Sequence, residues 1–152
     1  MLATLIEKVN GIALAVKPHP VGADGYLQGF LETHPEVEPL PANAGTVAGA
    51  LAGRGISMTA FSTTGVEAIA NGAVSLFLNP RGALSEGALA FMQEFELRDA
   101  ETLVALVARL VSDADFYCEY LQRQKRTLER HYALQPFDYA GFIQSLGLRR
   151  TA

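Results

Sequence analysis

Two short polar runs in this sequence contain the residue types that bind phosphate groups. The first is Lys17-Pro18-His19-Pro20 and the second is Ser62-Thr63-Thr64-Gly65, and each directly follows an apolar run. The two prolines fix the backbone around His19 and remove two amide donors, so the imidazole is held in one direction. The second run offers hydroxyls and backbone N–H groups where a helix is predicted to begin, and a helix N-terminus favours an anion. The two runs together predict a phosphate-binding site.

The same residues also have structural interpretations, which the sequence leaves open. His19 could be a hydrogen-bonding loop residue, and the Ser-Thr-Thr run could cap a helix. Thr64 and Glu67 have the spacing of a capping box, in which the two side chains satisfy backbone donors at the helix start. If Thr64 is the cap, Ser62 and Thr63 are the hydroxyls left for a phosphate. Gly65 would let a ligand or another part of the backbone approach closely.

The elements that must position these runs are predicted from the hydrophobic pattern. Short unbroken apolar runs at 12–16, 56–61 and 73–78 predict strands that are buried on both faces, and 36–40 is a weaker strand candidate. The segments 2–10, 24–33 and 46–52 have helical patterns. A further helix is predicted to start at Thr64 and to end near 71–72, where Asn-Gly is a stop signal.

From about residue 99 onward only helices are predicted, over 100–111, 113–132 and 136–146. The alternation of strand and helix before that point favours a Rossmann-like α/β fold: a parallel sheet with helices on both faces, followed by C-terminal helices. We therefore expect one domain over 1–152, with βα units in 1–98 and helices in 99–152. In such sheets ligands bind beyond the carboxyl ends of the strands, which is where both polar runs stand.

Composition narrows the classes of function further. The chain has 152 residues, of which 49% are hydrophobic, and this excludes a disordered chain. One cysteine excludes an internal disulfide framework and a multi-cysteine zinc site. The net charge of −4 argues against general nucleic-acid binding. No apolar run approaches the roughly 20 residues that span a bilayer, so a cytoplasmic protein without a transmembrane segment is expected.

With these residues in place, the chain resembles the C-terminal, nucleotide-sugar-binding half of a GT-B glycosyltransferase. It is most similar to the bacterial capsule-polysaccharide, sialyltransferase and Kdo-transferase group, with the CDP-glycerol glycerophosphotransferases as relatives. The resemblance is carried by the strand that ends in Lys17-Pro18-His19-Pro20 and by the run 61–68, Phe-Ser-Thr-Thr-Gly-Val-Glu-Ala. The segment 71–77 then leads into the next strand as it does in such enzymes.

The resemblance implies a role for each residue of the two motifs. His19 would be catalytic: it would bind the phosphate of a nucleotide-sugar donor, with a CMP-linked sugar favoured, and stabilise the departing nucleotide. Lys17 belongs to the same motif. Ser62 and Thr63 would bind the same phosphate, with Thr64 and Gly65 at the helix start. Glu67 resembles a glutamate that binds the nucleotide ribose, and Asn43 and Thr46 lie in the region of the base-binding loop. No metal and no other cofactor is implied.

The chain differs from GT-B enzymes in the number of lobes, and this difference leaves several functions open. A GT-B enzyme has two lobes, and the acceptor lobe carries the general base, whereas this length holds one lobe. We therefore expect a domain that binds nucleotide-sugar and needs an acceptor-lobe polypeptide for transfer. The apolar segment 137–146 would favour such a partner or a second copy of the chain. The alternatives are a non-catalytic nucleotide-binding or scaffolding module and a half-domain of a sugar epimerase.

Overall fold

The chain folds as alternating helices and parallel strands, followed by two C-terminal helices. The computed structural model describes residues 1–18, 24–41, 46–60, 62–80 and 89–132. The strands are β1 (Ala15–Val16), β2 (Glu38–Pro39), β3 (Ile56–Thr59), β4 (Val74–Leu78) and β5 (Glu96–Leu97). The helices are α1 (Leu2–Lys8), α2 (Asp24–Thr33), α3 (Val47–Ala50), α4 (Thr64–Ala70), α5 (Ala100–Ser112) and α6 (Ala114–Tyr132), and a 3₁₀ helix spans Ala90–Phe95.

The strands form two parallel ladders within the described residues. β1 pairs with β2, with Ala15 opposite Glu38, and the other ladder has the order β3-β4-β5. The predicted parallel pairing is confirmed, and within the described residues it is divided between a two-stranded and a three-stranded sheet.

The hydrophobic core is centred on β4, whose residues Val74, Ser75, Leu76 and Phe77 are fully buried. Parallel strands covered on both faces are apolar on both faces, which explains this unbroken run. Helices α1, α5 and α6 supply the other side of the core, with these buried side chains: Leu5, Leu103, Val107, Leu110, Leu121 and Leu128. The predicted helical stripes are therefore the faces that pack.

Helix α6 is tied to β4 by one buried side chain. Gln124 is fully buried, its Oε1 accepts a bond from the Ser75 N–H at 3.0 Å, and its Nε2 donates to the Ser75 carbonyl. Strand β5 is opposite only Phe77 and Leu78, so it leaves this part of the β4 edge uncovered. The Gln124 amide replaces the missing strand partner and satisfies a buried peptide group that would otherwise be costly.

Most predicted boundaries agree with the structure. Helix α2 has the predicted bounds, α5 ends one residue later than predicted, and Gly11 and Gly72 follow α1 and α4 with φ of 77° and 88°. Positive φ is a conformation that glycine adopts without strain, so the stop signal at 71–72 is confirmed. Helix α1 ends at Lys8, two residues earlier than predicted, because Val9 is already extended. Strand β5 was not predicted. The predicted helix 136–146 lies outside the described residues, and the single domain over 1–152 stays a prediction.

Candidate functional site

The candidate site is the edge at which β3, β4 and β5 end. Because the three strands are parallel neighbours, their carboxyl ends meet at one edge of the sheet. Ser62 and Thr63 follow β3, Asn79 follows β4, and Arg98 follows β5. Ligands of open α/β sheets bind at such an edge. The predicted hydroxyls therefore lie at the same edge of the sheet as two residues that the sequence analysis did not select, Asn79 and Arg98.

The predicted capping box at the start of α4 is wrong. Thr64 is the first helical residue, Thr63 precedes it, and the Thr63 side chain makes no capping bond. Ser62 takes that role instead: its Oγ accepts a bond from the Thr64 N–H at 3.2 Å, and its carbonyl accepts one from the Gly65 N–H at 3.2 Å. The Ser62 hydroxyl keeps its own O–H as a donor for a ligand. The exposed hydroxyls of this turn belong to Thr63 and Thr64.

Gly65 is explained by packing between α4 and β4. The residue is buried, and a Cβ at this position would lie 2.7 Å from Phe77 Cε1 and 2.8 Å from Ser75 Oγ. Both distances are shorter than real carbon contacts, so only glycine allows the helix to lie this close to the strand. The close approach that the sequence predicted at Gly65 is therefore an approach to side chains of β4.

Glu67 lies in the first turn of α4, where its side chain is exposed. Its backbone carbonyl accepts bonds from both the N–H and the Nδ2 of Asn71 at the other end of the helix. Thr46, from the predicted base-binding region, caps α3: its Oγ1 accepts a bond from the Gly49 N–H at 3.2 Å. The roles of these two residues in ribose and base binding stay predictions.

The other half of the predicted site follows β1. Lys17 is exposed and comes directly after this strand, and β1 pairs with β2 alone in the part of the chain that the structure describes. His19 and Asn43 lie outside the described residues. Pro18 borders an open depression whose other walls are side chains of α2, namely Leu27, Gln28, Leu31 and Glu32. The two predicted motifs therefore leave strands that belong to different ladders.

Sequence reasoning missed a buried carboxylate at the candidate site. The Glu96 side chain is only 3% exposed, and its Oε1 accepts a bond from Arg98 Nε at 2.5 Å. Burial raises the pKa of Glu96, but hydrogen bonds from Asn79 and Arg98 and the charge of Arg98 outweigh it, so the net pKa lies below its ordinary value. Glu96 is therefore a buried anion whose Oε1 is bonded to the exposed Arg98.

A sequence signal for this group exists, although it is short. Glu96 and Arg98 are two residues apart, which is the spacing that places side chains on one face of a strand. Asn79-Pro80 ends the preceding apolar run. The contact of Glu96 with Arg98 next to Asn79 depends on the pairing of β4 with β5. Because β5 has only two residues and no apolar run, the sequence pattern does not predict that pairing.

Two other kinds of functional feature are absent from the described residues. Among them, no three His, Cys, Asp or Glu side chains come close enough together to hold a metal ion. None of the described helices is both long enough and apolar enough to cross a membrane. Comparisons of the chain with protein families, with curated proteins and with solved structures found no match.

Proposed function

We propose that this chain is the nucleotide-sugar-binding domain of a glycosyltransferase that acts in bacterial surface or capsular polysaccharide synthesis. The observation that carries the proposal is the position of Ser62 and Thr63 on the loop after β3, at the carboxyl edge of a parallel sheet. The resemblance of the motifs at 17–20 and 61–68 to GT-B enzymes supports it. The proposal includes a cytoplasmic location, a CMP-linked donor, and an acceptor-lobe polypeptide or a second copy of the chain as partner.

In the proposed reaction an acceptor hydroxyl attacks the anomeric carbon of the donor sugar. The bond between that carbon and the phosphate oxygen breaks, its electron pair stays on the phosphate, and the acceptor proton passes to a base on the acceptor lobe. His19 would stabilise the charge that develops on the phosphate, and the hydroxyls of Ser62 and Thr63 would donate to its oxygens. Donors held ready for developing charge are a large part of such catalysis.

Calorimetric titration with CMP, CDP and UDP tests the proposal. The wild-type chain should bind CMP, and His19→Ala should weaken binding by about 1.5–3 kcal/mol, the scale of a charge-assisted hydrogen bond. The thermal midpoint should change little. His34→Ala is the matched control, because His34 lies outside both motifs and contacts Glu36. A wild-type chain that binds none of the three nucleotides would refute the proposal, and a destabilised His19→Ala variant with unchanged affinity would assign His19 a structural role.

The alternative is a non-catalytic nucleotide-binding or scaffolding module of the same fold. Because the general base of the proposed reaction belongs to the acceptor lobe, both proposals predict nucleotide binding by this chain. An assay with a supplied acceptor lobe separates the two proposals, since transfer identifies an enzyme subunit and binding without transfer identifies a module.

A further inference from the structure

The alternation of side chains along β4 and β5 assigns Arg98 to a definite face of the sheet. The contact of Gly65 with Ser75 and Phe77 shows that α4 covers the face on which these two side chains lie. Glu96 is the register partner of Phe77, and neighbours in register point to the same face. Arg98 is two residues beyond Glu96 and bonds to it. Arg98 and the turn at Ser62 and Thr63 are therefore at the same edge and on the same face.

The Arg98 guanidinium is held in place but keeps most of its donors. It is 60% exposed, and the one bond that it makes within the described residues is from Nε to the buried Glu96 carboxylate. An arginine has five N–H donors in a planar fork, so the four on its two Nη atoms are not engaged there. A fork of this kind matches the oxygens of a phosphate or a carboxylate. Because the Glu96 side chain is buried and bonded to Arg98 Nε, the fork is positioned before a ligand arrives.

We infer that Arg98 binds an oxyanion, phosphate or carboxylate, of the ligand that Ser62 and Thr63 hold, and that Glu96 is its positioning residue. The inference rests on the proposed function. Strand β4 separates the end of β3 from the end of β5, so the two contacts are about 10 Å apart, which is two strand spacings. A nucleotide-linked sugar is long enough to meet both. The site therefore favours a donor that carries negative charge at the position of Arg98.

Titration of Arg98→Gln with three probes tests this inference. Cytidine carries neither group, CMP carries a phosphate, and CMP-N-acetylneuraminate carries a phosphate and a sugar carboxylate. Loss of about tenfold or more in affinity for both charged probes assigns the phosphate to Arg98, and loss confined to CMP-N-acetylneuraminate assigns the carboxylate. Cytidine binding should not change. Arg98→Lys should retain part of the affinity, because lysine keeps the charge without the fork.

Two further variants keep the result interpretable. Arg98→Gln leaves the Glu96 carboxylate without its cationic partner, so Glu96→Gln with Arg98→Gln restores a neutral pair if the single variant fails to fold. Glu96→Gln should weaken binding when Arg98 is present and should have no further effect when Arg98 is Gln. A merely structural Glu96 would not show that dependence. Arg126→Gln, an exposed arginine on α6, is the control for the loss of one charge.

The outcomes separate the two proposals. If the wild-type chain binds CMP and Arg98→Gln binds both charged probes equally well, the inference about Arg98 is wrong and the proposed function stands. If the wild-type chain binds no nucleotide, both are wrong. Equal losses in Arg98→Gln and Arg126→Gln would assign the effect to net charge and would also overturn the inference.

Discussion

The two sheets of this protein differ in how deeply their strands are buried. In the three-stranded sheet Val74, Leu76 and Phe77 are fully buried, whereas in the two-stranded sheet Ala15 and Val16 are partly exposed. Both strand residues of β2 are exposed. Apolar residues become core only where other elements cover them, and α1, α5 and α6 pack around the three-stranded sheet.

The two motifs of the predicted site also differ in this respect, because each follows a strand of a different sheet. The hydroxyl run follows β3 and stands beside the buried strand β4, and the His-Pro motif follows β1. Among the described residues between 10 and 60, one hydrophobic side chain is buried, that of Val37. We therefore expect substitutions in the three-stranded sheet to lower the free energy of unfolding strongly. Substitutions in residues 10–60 should lower it little.

The largest difference in the free energy of unfolding is expected between an apolar side chain of β4 and one of α2, because they differ in burial. Phe77→Ala removes a fully buried ring from β4 and should cost about 3–5 kcal/mol of the free energy of unfolding. Leu27→Ala on α2, where the leucine is only partly buried, should cost about 1 kcal/mol or less. Urea-induced unfolding measures both. Similar costs at the two positions would mean that α2 belongs to the same core.

A smaller difference in stability is expected for two glycine-to-alanine substitutions, one of which should destabilise the chain and the other stabilise it. Gly65→Ala places a Cβ 2.7 Å from Phe77 Cε1 and should destabilise the chain, with overpacking typically costing about 1–3 kcal/mol. Gly29→Ala in α2 meets no atom within 4 Å and should stabilise by about 0.5–1 kcal/mol, since alanine favours the helix. Thermal midpoints should move in opposite directions. A stabilised Gly65→Ala variant would contradict the close packing of α4 on β4.

The smallest difference is expected in the pH dependence of the stability that two helix caps contribute. Hydrogen bonds from the Thr102 backbone and hydroxyl lower the pKa of Asp99, the cap of α5. A lowered folded-state pKa adds stability that is fully present above the ordinary value of about 4 and is lost as the pH falls through the lowered one. Asp99→Ala should therefore be less stable than wild type at pH 7, and the gap should close toward pH 3.

Thr46, the cap of α3, provides the uncharged comparison. Thr46→Ala should cost about 0.5 kcal/mol at every pH, because its hydroxyl does not titrate. Urea midpoints at pH 7, 5, 4 and 3 measure both variants against wild type. If the gap for Asp99→Ala stayed constant over this range, the pH dependence assigned to the Asp99 carboxylate would be wrong.

Local patterns predicted the elements and part of the site, but they did not predict how the elements contact one another. Helix α2 and the end of α4 followed from spacing and from glycine, and Ser62 and Thr63 were selected because they follow an apolar run. Strand β5 was missed because it consists of two residues that become a strand by pairing with Phe77 and Leu78. The capping box failed because α4 begins at Thr64 itself, so that Thr64 is the first helical residue and its N–H is bound by the Ser62 hydroxyl.

The sequence by itself determined the periodic elements, their order and the stop signals, since side-chain spacing and backbone φ are properties of neighbouring residues. The tertiary structure alone decided that Gly65 fits against Phe77, that Gln124 satisfies a peptide group 49 residues earlier in the chain, and that Glu96 is buried beneath Arg98. The physical reason is that a buried polar group is stable only with a partner, and these partners come from elements that are distant in the sequence.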